Sequence, residues 1–209
     1  MDADEGERAE LEAQILERRE AALAQVVKFG DPVLKSKASP MRKPWPELRP
    51  DVERMIAIMR DGLGVGLAAT QLGILRRLLV FQAGGNEADA TALINPEIEW
   101  VSEELALAEE GCLSLPRVSM DVERPLHAIV AAFDVDGEPV RIEASGLEAR
   151  VLQHEIDHLD GVLILDRAPR AQRKGALRAL REGGSYSPPP AEGADGDLED
   201  EHREPRTDA

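Results

Sequence analysis

Two histidines and a glutamate within five residues could form the centre of a metal-dependent hydrolase. His154 and His158 are four residues apart, so in a helix both imidazole rings project from one face and can reach a single metal ion. Glu155 follows the first histidine, where its carboxylate can take a proton from a water molecule. Histidines at this spacing also occur in helices that bind no metal, so the hypothesis requires a third ligand from elsewhere in the chain.

A helix must hold these side chains, and the surrounding residues predict one. Gly146 is expected to open it and Gly161 to end it. Between the two glycines, apolar residues recur at the spacing of a buried helix face: Leu147, Val151, Leu152, Ile156 and Leu159. A ligand pair on a packed helix would be a rigid site.

The candidate for the third ligand is Cys112, the single cysteine of the chain. A lone cysteine is usually a small buried hydrophobic residue, and a Cys–His nucleophile of the protease type is a second interpretation. As a thiolate, Cys112 would instead complete a Cys/His/His set, which leaves a fourth tetrahedral position open for water. The residues by themselves leave these interpretations open.

Residues 64–71, called the glycine loop below, combine two glycines with small residues, which permits an unusual backbone path and close packing. A nucleotide-binding loop is poorly supported, because no strand is predicted before the glycines and no third glycine follows at the required offset. On its own, the segment indicates a turn after a helix.

The composition narrows the class of protein. With 209 residues, 43% of them hydrophobic, the chain is long enough for one domain with a sizeable core. A single cysteine fits a reducing compartment, and no signal peptide or membrane-spanning run is predicted. A cytoplasmic protein without membrane contact is therefore expected. The net charge of −16 is concentrated in residues 1–20 and 182–209, so it says little about an active site.

The remaining pattern predicts strands first and the candidate metal helix later. Other helices are predicted over residues 5–27 and 169–181, and a further helix is predicted to begin at Asp51, which would be its N-cap. Strands are predicted at 26–37 (with a turn), 78–82, 92–100, 118–123, 127–135, 139–144 and 162–165. Asp136-Gly137 predicts a hairpin turn. The fold class is therefore α+β, with antiparallel β-sheets packed around a central metal-binding helix.

This pattern divides the chain into four parts. Residues 1–24 are predicted to form an acidic amphipathic arm, and residues 25–168 a catalytic domain. Residues 169–182 would form a basic helix, and 183–209 a disordered acidic tail.

Three segments together resemble the motifs of the peptide deformylase family, in order and spacing. They are Gly64-Val65-Gly66-Leu67-Ala68-Ala69-Thr70-Gln71, Glu110-Gly111-Cys112-Leu113-Ser114 and His154-Glu155-Ile156-Asp157-His158. The resemblance extends to residues 29–34 and 159–163, and it covers about residues 25–167. Three ordered motifs are far more specific than any one of them alone.

The resemblance implies removal of the formyl group from the N-terminal formyl-methionine of newly synthesised polypeptides. Cys112, His154 and His158 would hold one divalent metal ion, and its bound water would attack the formyl carbon. The family is active mainly with Fe²⁺, while Zn²⁺ and Ni²⁺ suit the same ligands. Glu155 would act as general base and then as general acid.

Further roles follow from the resemblance. The side chain of Gln71 and the backbone N–H of Leu113 would donate hydrogen bonds to the tetrahedral oxyanion. The peptide would lie against the glycine loop as an added strand, with its methionine in an apolar pocket. The expected substrate-binding residues are Val65, Gly66, Val151 and Leu152.

Behind the metal ligands, the resemblance implies an ion pair between Glu110 and Arg124. Ser119 falls where many family members carry arginine, which puts the peptide-binding side of the site in question. Arg117, two residues earlier, is expected to take the place of that arginine.

Two other functions are compatible with parts of the sequence. A zinc endopeptidase of the H-E-x-x-H kind needs a third ligand downstream, where the next histidine is His202. A non-catalytic metal- or RNA-binding module would use the basic residues of 169–181. The same basic helix predicts a contact with ribosomal RNA for a deformylase, which is expected to act as a monomer.

Overall fold

The computed structural model describes residues 3–42, 46–83 and 90–189. Its helices are α1 (Ala3–Gln25), α2 (Arg49–Asp61), α3 (Leu147–Leu159), α4 (Ile164–Arg167) and α5 (Arg170–Glu182), with short 3-10 helices at Pro32–Lys35, Pro46–Leu48 and Ala69–Leu72. Its strands are β1 (Gly66–Ala68), β2 (Leu78–Phe81), β3 (Thr91–Val101), β4 (Leu105–Cys112), β5 (Leu115–Pro125), β6 (His127–Phe133) and β7 (Pro139–Ser145).

A five-stranded antiparallel sheet supports one side of α3. Its strand order is β1-β2-β3-β6-β7, and Gly137, at φ 86°, closes the predicted β6–β7 turn. Leu152 and Ile156 of α3 share a buried core with Leu93 and Val130 of the sheet. Burying an apolar helix face against a sheet removes both from water. The expected α+β fold around a central helix is confirmed.

A second, two-stranded antiparallel sheet is formed by β4 and β5. Alternate side chains of β5, including Met120 and Val122, pack in a core with Leu163 and with Ala176 of α5. This sheet positions Cys112, because that residue ends β4 just before the chain turns into β5.

The predicted metal helix is fixed at both ends. Gly146 precedes it at φ 59° and Gly161 follows it at φ 73°, a region that favours glycine. A Cβ atom on Gly161 would also lie 2.7 Å from the carbonyl oxygen of Lys35. At the same end, Thr70 Oγ1 donates a 3.1 Å hydrogen bond to the carbonyl oxygen of His158. These contacts fix the position of His158 along the axis of α3 relative to the glycine loop.

The predicted N-terminal helix is present as α1. Ala22 and Val26, in and just after its last turn, are buried in a core shared with Val52 and Met55 of α2, while residues 10–20 are exposed. Within the described ranges, no helix combines the length and the apolar character needed to cross a membrane.

Two predicted strands are wrong, and side-chain capping explains both. In the predicted strand and turn at 26–37, Asp31 Oδ1 accepts a 2.9 Å hydrogen bond from the Val33 N–H, and a 3-10 helix begins at Pro32. In the predicted strand at 162–165, Asp166 Oδ2 accepts a 2.8 Å bond from the Leu163 N–H, which caps α4.

Strands β1 and β4 were not predicted, and the start of α2 differs from the prediction. That helix begins at Arg49, so Asp51 lies in its first turn and is not the N-cap. A carboxylate in a first turn still interacts favourably with the helix dipole.

The predicted disordered tail is partly ordered. Tyr186 pairs with Val118 of β5. Its N–H donates to the carbonyl of Arg117 at 3.0 Å, and its own carbonyl accepts from the Ser119 N–H at 2.9 Å. Disorder is therefore wrong for residues 183–189, and residues 190–209 lie outside the described part of the chain.

Candidate active site

The three predicted ligand side chains converge although two come from α3 and one from the end of β4. Their ligand atoms all lie within 4.8 Å of one another. Cys112 Sγ is 3.1 Å from His158 Nε2, and the two imidazole centroids are 4.9 Å apart. The structure thus brings together Cys112, His154 and His158, as the sequence predicts.

The donor set fits a transition-metal ion. A tetrahedral zinc site places sulfur at about 2.3 Å and nitrogen at about 2.0–2.1 Å from the ion, so ligand atoms are separated by about 3.5 Å. Small side-chain adjustments would bring the three observed atoms to such separations. The buried Oε2 of Glu155 has no hydrogen-bond partner among the described residues, and an unsatisfied buried polar atom is typical of a site completed by a ligand.

Electrostatics favour a thiolate at this position. Burial by itself would raise the pKa of the Cys112 thiol, but the His158 ring and hydrogen bonds from both histidines hold that pKa well below its usual range. Burial would lower the pKa of His154, whereas its hydrogen bonds to Cys112 and Glu110 raise it well above the ordinary value. The deprotonated thiol is the form that binds metals.

Glu155 lies beside the ligand set and is only 4% exposed. Desolvation raises the pKa of its carboxyl above the ordinary value, although the nearby His154 and His158 oppose this shift. A carboxylate with a raised pKa is a better proton acceptor than an exposed one. Its position on α3 next to His154 gives it access to the same small volume as the ligands.

Gln71, in the 3-10 helix after β1, places its side-chain amide next to the Cys112 thiol. The Ala68 N–H donates a 2.9 Å hydrogen bond to Gln71 Oε1, which fixes the amide orientation. Its Nε2 therefore faces the site, 3.6 Å from Cys112 Sγ and 3.3 Å from Ser114 Oγ. Leu113, the other predicted oxyanion donor, follows Cys112 in the β4–β5 turn and lines the same cleft.

Gly66 has a steric role that the sequence does not reveal. An added Cβ would lie 2.7 Å from Cγ and 2.8 Å from Cδ of Glu155. The absence of a side chain on β1 therefore makes room for the Glu155 carboxylate.

The implied ion pair behind the ligands is present and buried. Arg124 donates from Nε and Nη2 to the two carboxylate oxygens of Glu110, at 2.6 and 2.9 Å. The second oxygen is also 2.9 Å from His154 Nδ1, so this carboxylate orients the imidazole. Burial opposes ionisation, but the hydrogen bonds from His154 and Arg124 lower the pKa of Glu110 to about 2.

Three residues of this network were missed by sequence reasoning. Arg150 Nη1 donates to Glu110 at 2.6 Å. Asp157 accepts from Arg124 at 2.8 Å and from Arg167 at 2.5 and 3.0 Å. The available signal was that Arg150 lies one turn before His154 and two turns before Asp157 on one face of α3, since a buried arginine needs a carboxylate partner.

A cleft of about 690 Å³ opens from the ligand set to the surface. Val65 and Val151 line it, and Val65 is 48% exposed. Leu152 is fully buried in the core between α3 and the sheet and is not among the lining residues. Leu147, predicted on the buried face of α3, is 62% exposed and borders the cleft instead.

On the other wall of the cleft, Ser119 Oγ is 3.2 Å from Ser187 Oγ of the C-terminal segment. Arg117 also lines this wall, and its Nη2 donates a 2.6 Å bond to the carbonyl of Gly183. The C-terminal segment therefore contributes to the cleft, which the sequence did not predict.

Comparisons with known proteins agree with this geometry. A family model described as polypeptide deformylase matches residues 23–174. The peptide deformylase of Acidothermus cellulolyticus is 46% identical over 154 residues, covering 74% of this chain and 83% of that protein. A solved peptide deformylase of Synechococcus elongatus in complex with actinonin has a TM-score of 0.71 at 40% identity, covering 77% of this chain and 88% of that one. The Thermotoga maritima peptide deformylase has a TM-score of 0.66 at 45% identity, covering 69% of this chain and 96% of that one.

Proposed function

The chain belongs to the peptide deformylase family, and we propose that it removes the formyl group from the N-terminal formyl-methionine of newly synthesised polypeptides. The observation that supports this most directly is the convergence of Cys112, His154 and His158 within 4.8 Å at the head of a cleft. A Cys/His/His set with an open position is typical of a hydrolytic centre.

Cys112, His154 and His158 would hold one divalent metal ion. Their mixed sulfur and nitrogen donors suit Fe²⁺, which we propose as the native ion, with Zn²⁺ and Ni²⁺ as alternatives. When bound, such an ion lowers the pKa of a coordinated water from 15.7 to about 7. Glu110 would keep the His154 ring oriented for this purpose through its 2.9 Å contact with Nδ1.

Glu155 would handle the proton. Its carboxylate is buried beside the ligands, and desolvation raises its pKa. It would take a proton from the attacking water and then donate it to the departing amine of methionine. The Oε2 atom, which has no partner among the described residues, is available for this transfer.

Gln71 and Leu113 would stabilise the negative charge that forms on the formyl oxygen. Gln71 Nε2 is directed to the site because its Oε1 is held by the Ala68 N–H. Leu113 would contribute its backbone N–H beside Cys112. Donors that are already oriented need no rearrangement as the oxyanion forms.

The substrate would lie along the cleft. Val65 and Gly66 would border the peptide backbone as an added strand, and Val151 would line the methionine pocket. Leu152 would support that pocket from behind, since it is fully buried in the core next to Val151.

Release of formate from formyl-Met-Ala, measured anaerobically with Fe²⁺-loaded protein, tests the function. Glu155→Gln should bind the metal but release no formate, whereas Cys112→Ala should lose both. Glu148→Gln, on the same helix but outside the site, serves as the matched control and should retain activity. Metal content is measured on every variant.

Two other outcomes would overturn the proposal. Cleavage of internal peptide bonds would indicate an endopeptidase of the H-E-x-x-H kind, although the third ligand found among the described residues is the upstream Cys112. Metal binding without either activity would indicate a binding module, although three protein ligands leave such a site open.

We also propose that the protein works in the cytoplasm as a monomer and contacts ribosomal RNA through α5. Arg170, Lys174 and Arg181 on that helix are exposed, and cationic side chains on one helix face are suited to phosphate backbones. Because Ala176 and Ala179 of α5 are buried against β5, charge substitutions are a better test than truncation.

Glutamine at those three basic positions should weaken ribosome co-sedimentation, more so at low salt. The same change at Arg8 and Arg18 of α1 is the control. Unchanged co-sedimentation in the α5 variant would refute this contact.

A further inference from the structure

Basic side chains from three separate parts of the chain line the cleft, and two of them, Arg19 and Arg117, are exposed at its outer rim. Arg19 of α1, Lys28 after that helix and Arg117 of β5 all line the cleft. Glu109 of β4 is the exposed acid among the described lining residues, because Glu110 and Glu155 are buried in the site. The rim is thus cationic in a chain whose net charge is −16.

Arg117 and Lys28 are held by backbone carbonyls, and none of the three cations is paired with a carboxylate among the described residues. Arg117 Nη2 donates to the carbonyl of Gly183 at 2.6 Å, and Lys28 Nζ donates to the carbonyl of Leu23 at 2.6 Å. Among the described residues, no carboxylate lies at ion-pair distance from Arg19, Lys28 or Arg117.

The position of Arg19 is defined by the end of α1. Leu23, one turn later on the same face, also lines the cleft. The following turn is anchored, since Ala22 and Val26 are buried against α2 and Arg54 Nη2 of α2 donates to Gln25 Oε1 at 2.9 Å. Arg19 therefore lies one turn before an anchored segment, and it lies outside the matched residues 23–174.

We propose that Arg19 and Arg117 select formyl-methionyl peptides that carry an acidic side chain downstream of the methionine. This inference rests on the proposed deformylase function and concerns the same cleft. A peptide whose formyl end reaches the ligand set must leave the cleft past this rim, so its following residues meet the two guanidinium groups. A carboxylate there gains charge-assisted hydrogen bonds that a lysine side chain does not.

Screening makes the selection dependent on salt. Exposed charges interact over about 10 Å at 0.1 M ionic strength and over only about 3 Å at 1 M. The preference for acidic peptides is therefore expected to be largest at low salt and to disappear at high salt, whereas cleavage of a neutral peptide depends far less on ionic strength.

The test compares kcat/KM for formyl-Met-Ala peptides that carry Glu, Gln or Lys at the third, fourth or fifth position. At low salt, the full-length metal-loaded protein should favour Glu over Gln by about three- to ten-fold at one of these positions, mainly through KM. Arg19→Gln and Arg117→Gln should each reduce this ratio about two- to five-fold.

Two matched variants separate charge from structure. Arg18→Gln alters the neighbouring arginine of α1, which does not line the cleft, and should leave the ratio unchanged. Arg117→Lys keeps the charge and should keep most of the preference. A Glu/Gln ratio near one in the unmodified protein, or a ratio that survives in the Arg19→Gln/Arg117→Gln double variant, would overturn the inference while formate is still released from the Gln peptide. Failure to release formate from every peptide would instead refute the proposed function.

Discussion

Substitution of Gly66 by alanine is expected to disable catalysis by displacing Glu155. The added Cβ would lie 2.7 Å from Cγ and 2.8 Å from Cδ of that glutamate, where carbon atoms normally approach to about 3.5–4.0 Å. The collision involves the middle of the side chain, so rotating the terminal carboxylate cannot relieve it. The side chain must move by about 1 Å to restore ordinary contacts.

A displacement of this size has a large kinetic effect. Misplacement of a catalytic group by about 1 Å can cost about 100-fold in rate, which corresponds to about 2.7 kcal/mol of activation free energy. Overpacking should also destabilise the fold by about 1–3 kcal/mol. The atoms nearest to the added Cβ all belong to Glu155 and none to a metal ligand, so metal content should be retained.

The assay is steady-state release of formate, with metal content and denaturant unfolding measured on the same samples. Gly64→Ala is the matched control, because a Cβ there meets Leu113 Cδ1 at 3.1 Å, the end of a flexible side chain, and not Glu155. A Gly66→Ala protein that kept its kcat and lost only substrate affinity would refute this reasoning. It would show that the glycine serves the peptide backbone instead.

Three further changes probe other parts of the site and the fold. Gln71→Ala should lower kcat by about 100- to 1,000-fold with little change in KM, because an oriented oxyanion donor is lost; formate release measures this. Arg124→Met should destabilise the protein by about 3–5 kcal/mol in urea unfolding, because it leaves Glu110 buried with one cation fewer. Asp166→Asn should cost about 0.5 kcal/mol at pH 7, because it removes the charge paired with Lys35 while the amide oxygen still accepts from the Leu163 N–H. Although burial opposes it, hydrogen bonding to Lys35 lowers the pKa of the Asp166 carboxyl, so this contribution is present at neutral pH and is lost as the pH falls below about 4.

Each of these expectations has a result that contradicts it. For Gln71→Ala, a raised KM with normal kcat would assign the amide to substrate binding. For Arg124→Met, stability within about 1 kcal/mol of the parent would mean that other cations fully compensate. For Asp166→Asn, a stability difference that persisted unchanged at pH 3 would exclude an ionised carboxylate as its origin.

The ligand residues were predictable because their chemistry restricts their type and spacing. His154 and His158 have to lie one turn apart on a helix to share an ion, and that spacing is visible in one short segment. The helix itself was visible for the same reason, since its apolar face recurs at a fixed period between Gly146 and Gly161. Its two ends were found close to where they were predicted.

Strand β4 was not predictable in this way. Residues 103–110 consist of two glutamates, a Leu-Ala-Leu-Ala run and two more glutamates, with no β-branched or aromatic residue, so local preference favours no strand. The segment is extended because its backbone pairs with β5 along its whole length. From Leu105 to Glu109 the partners lie between 20 and 12 positions away, at Pro125 to Asp121, so no local pattern contains that pairing.

The buried ion pairs next to the metal ligands could not be predicted from the sequence in the way that the ligands were. Glu110 accepts hydrogen bonds from Arg124 and Arg150 and contacts His154, so one carboxylate links β4, β5 and α3. Any of several cations could satisfy a buried carboxylate, and the sequence shows many arginines without indicating which ones are buried. The position of Cys112 relative to His154 therefore depends on a network whose members only the folded chain identifies, and a change in one cation of that network should alter the metal site without touching a ligand.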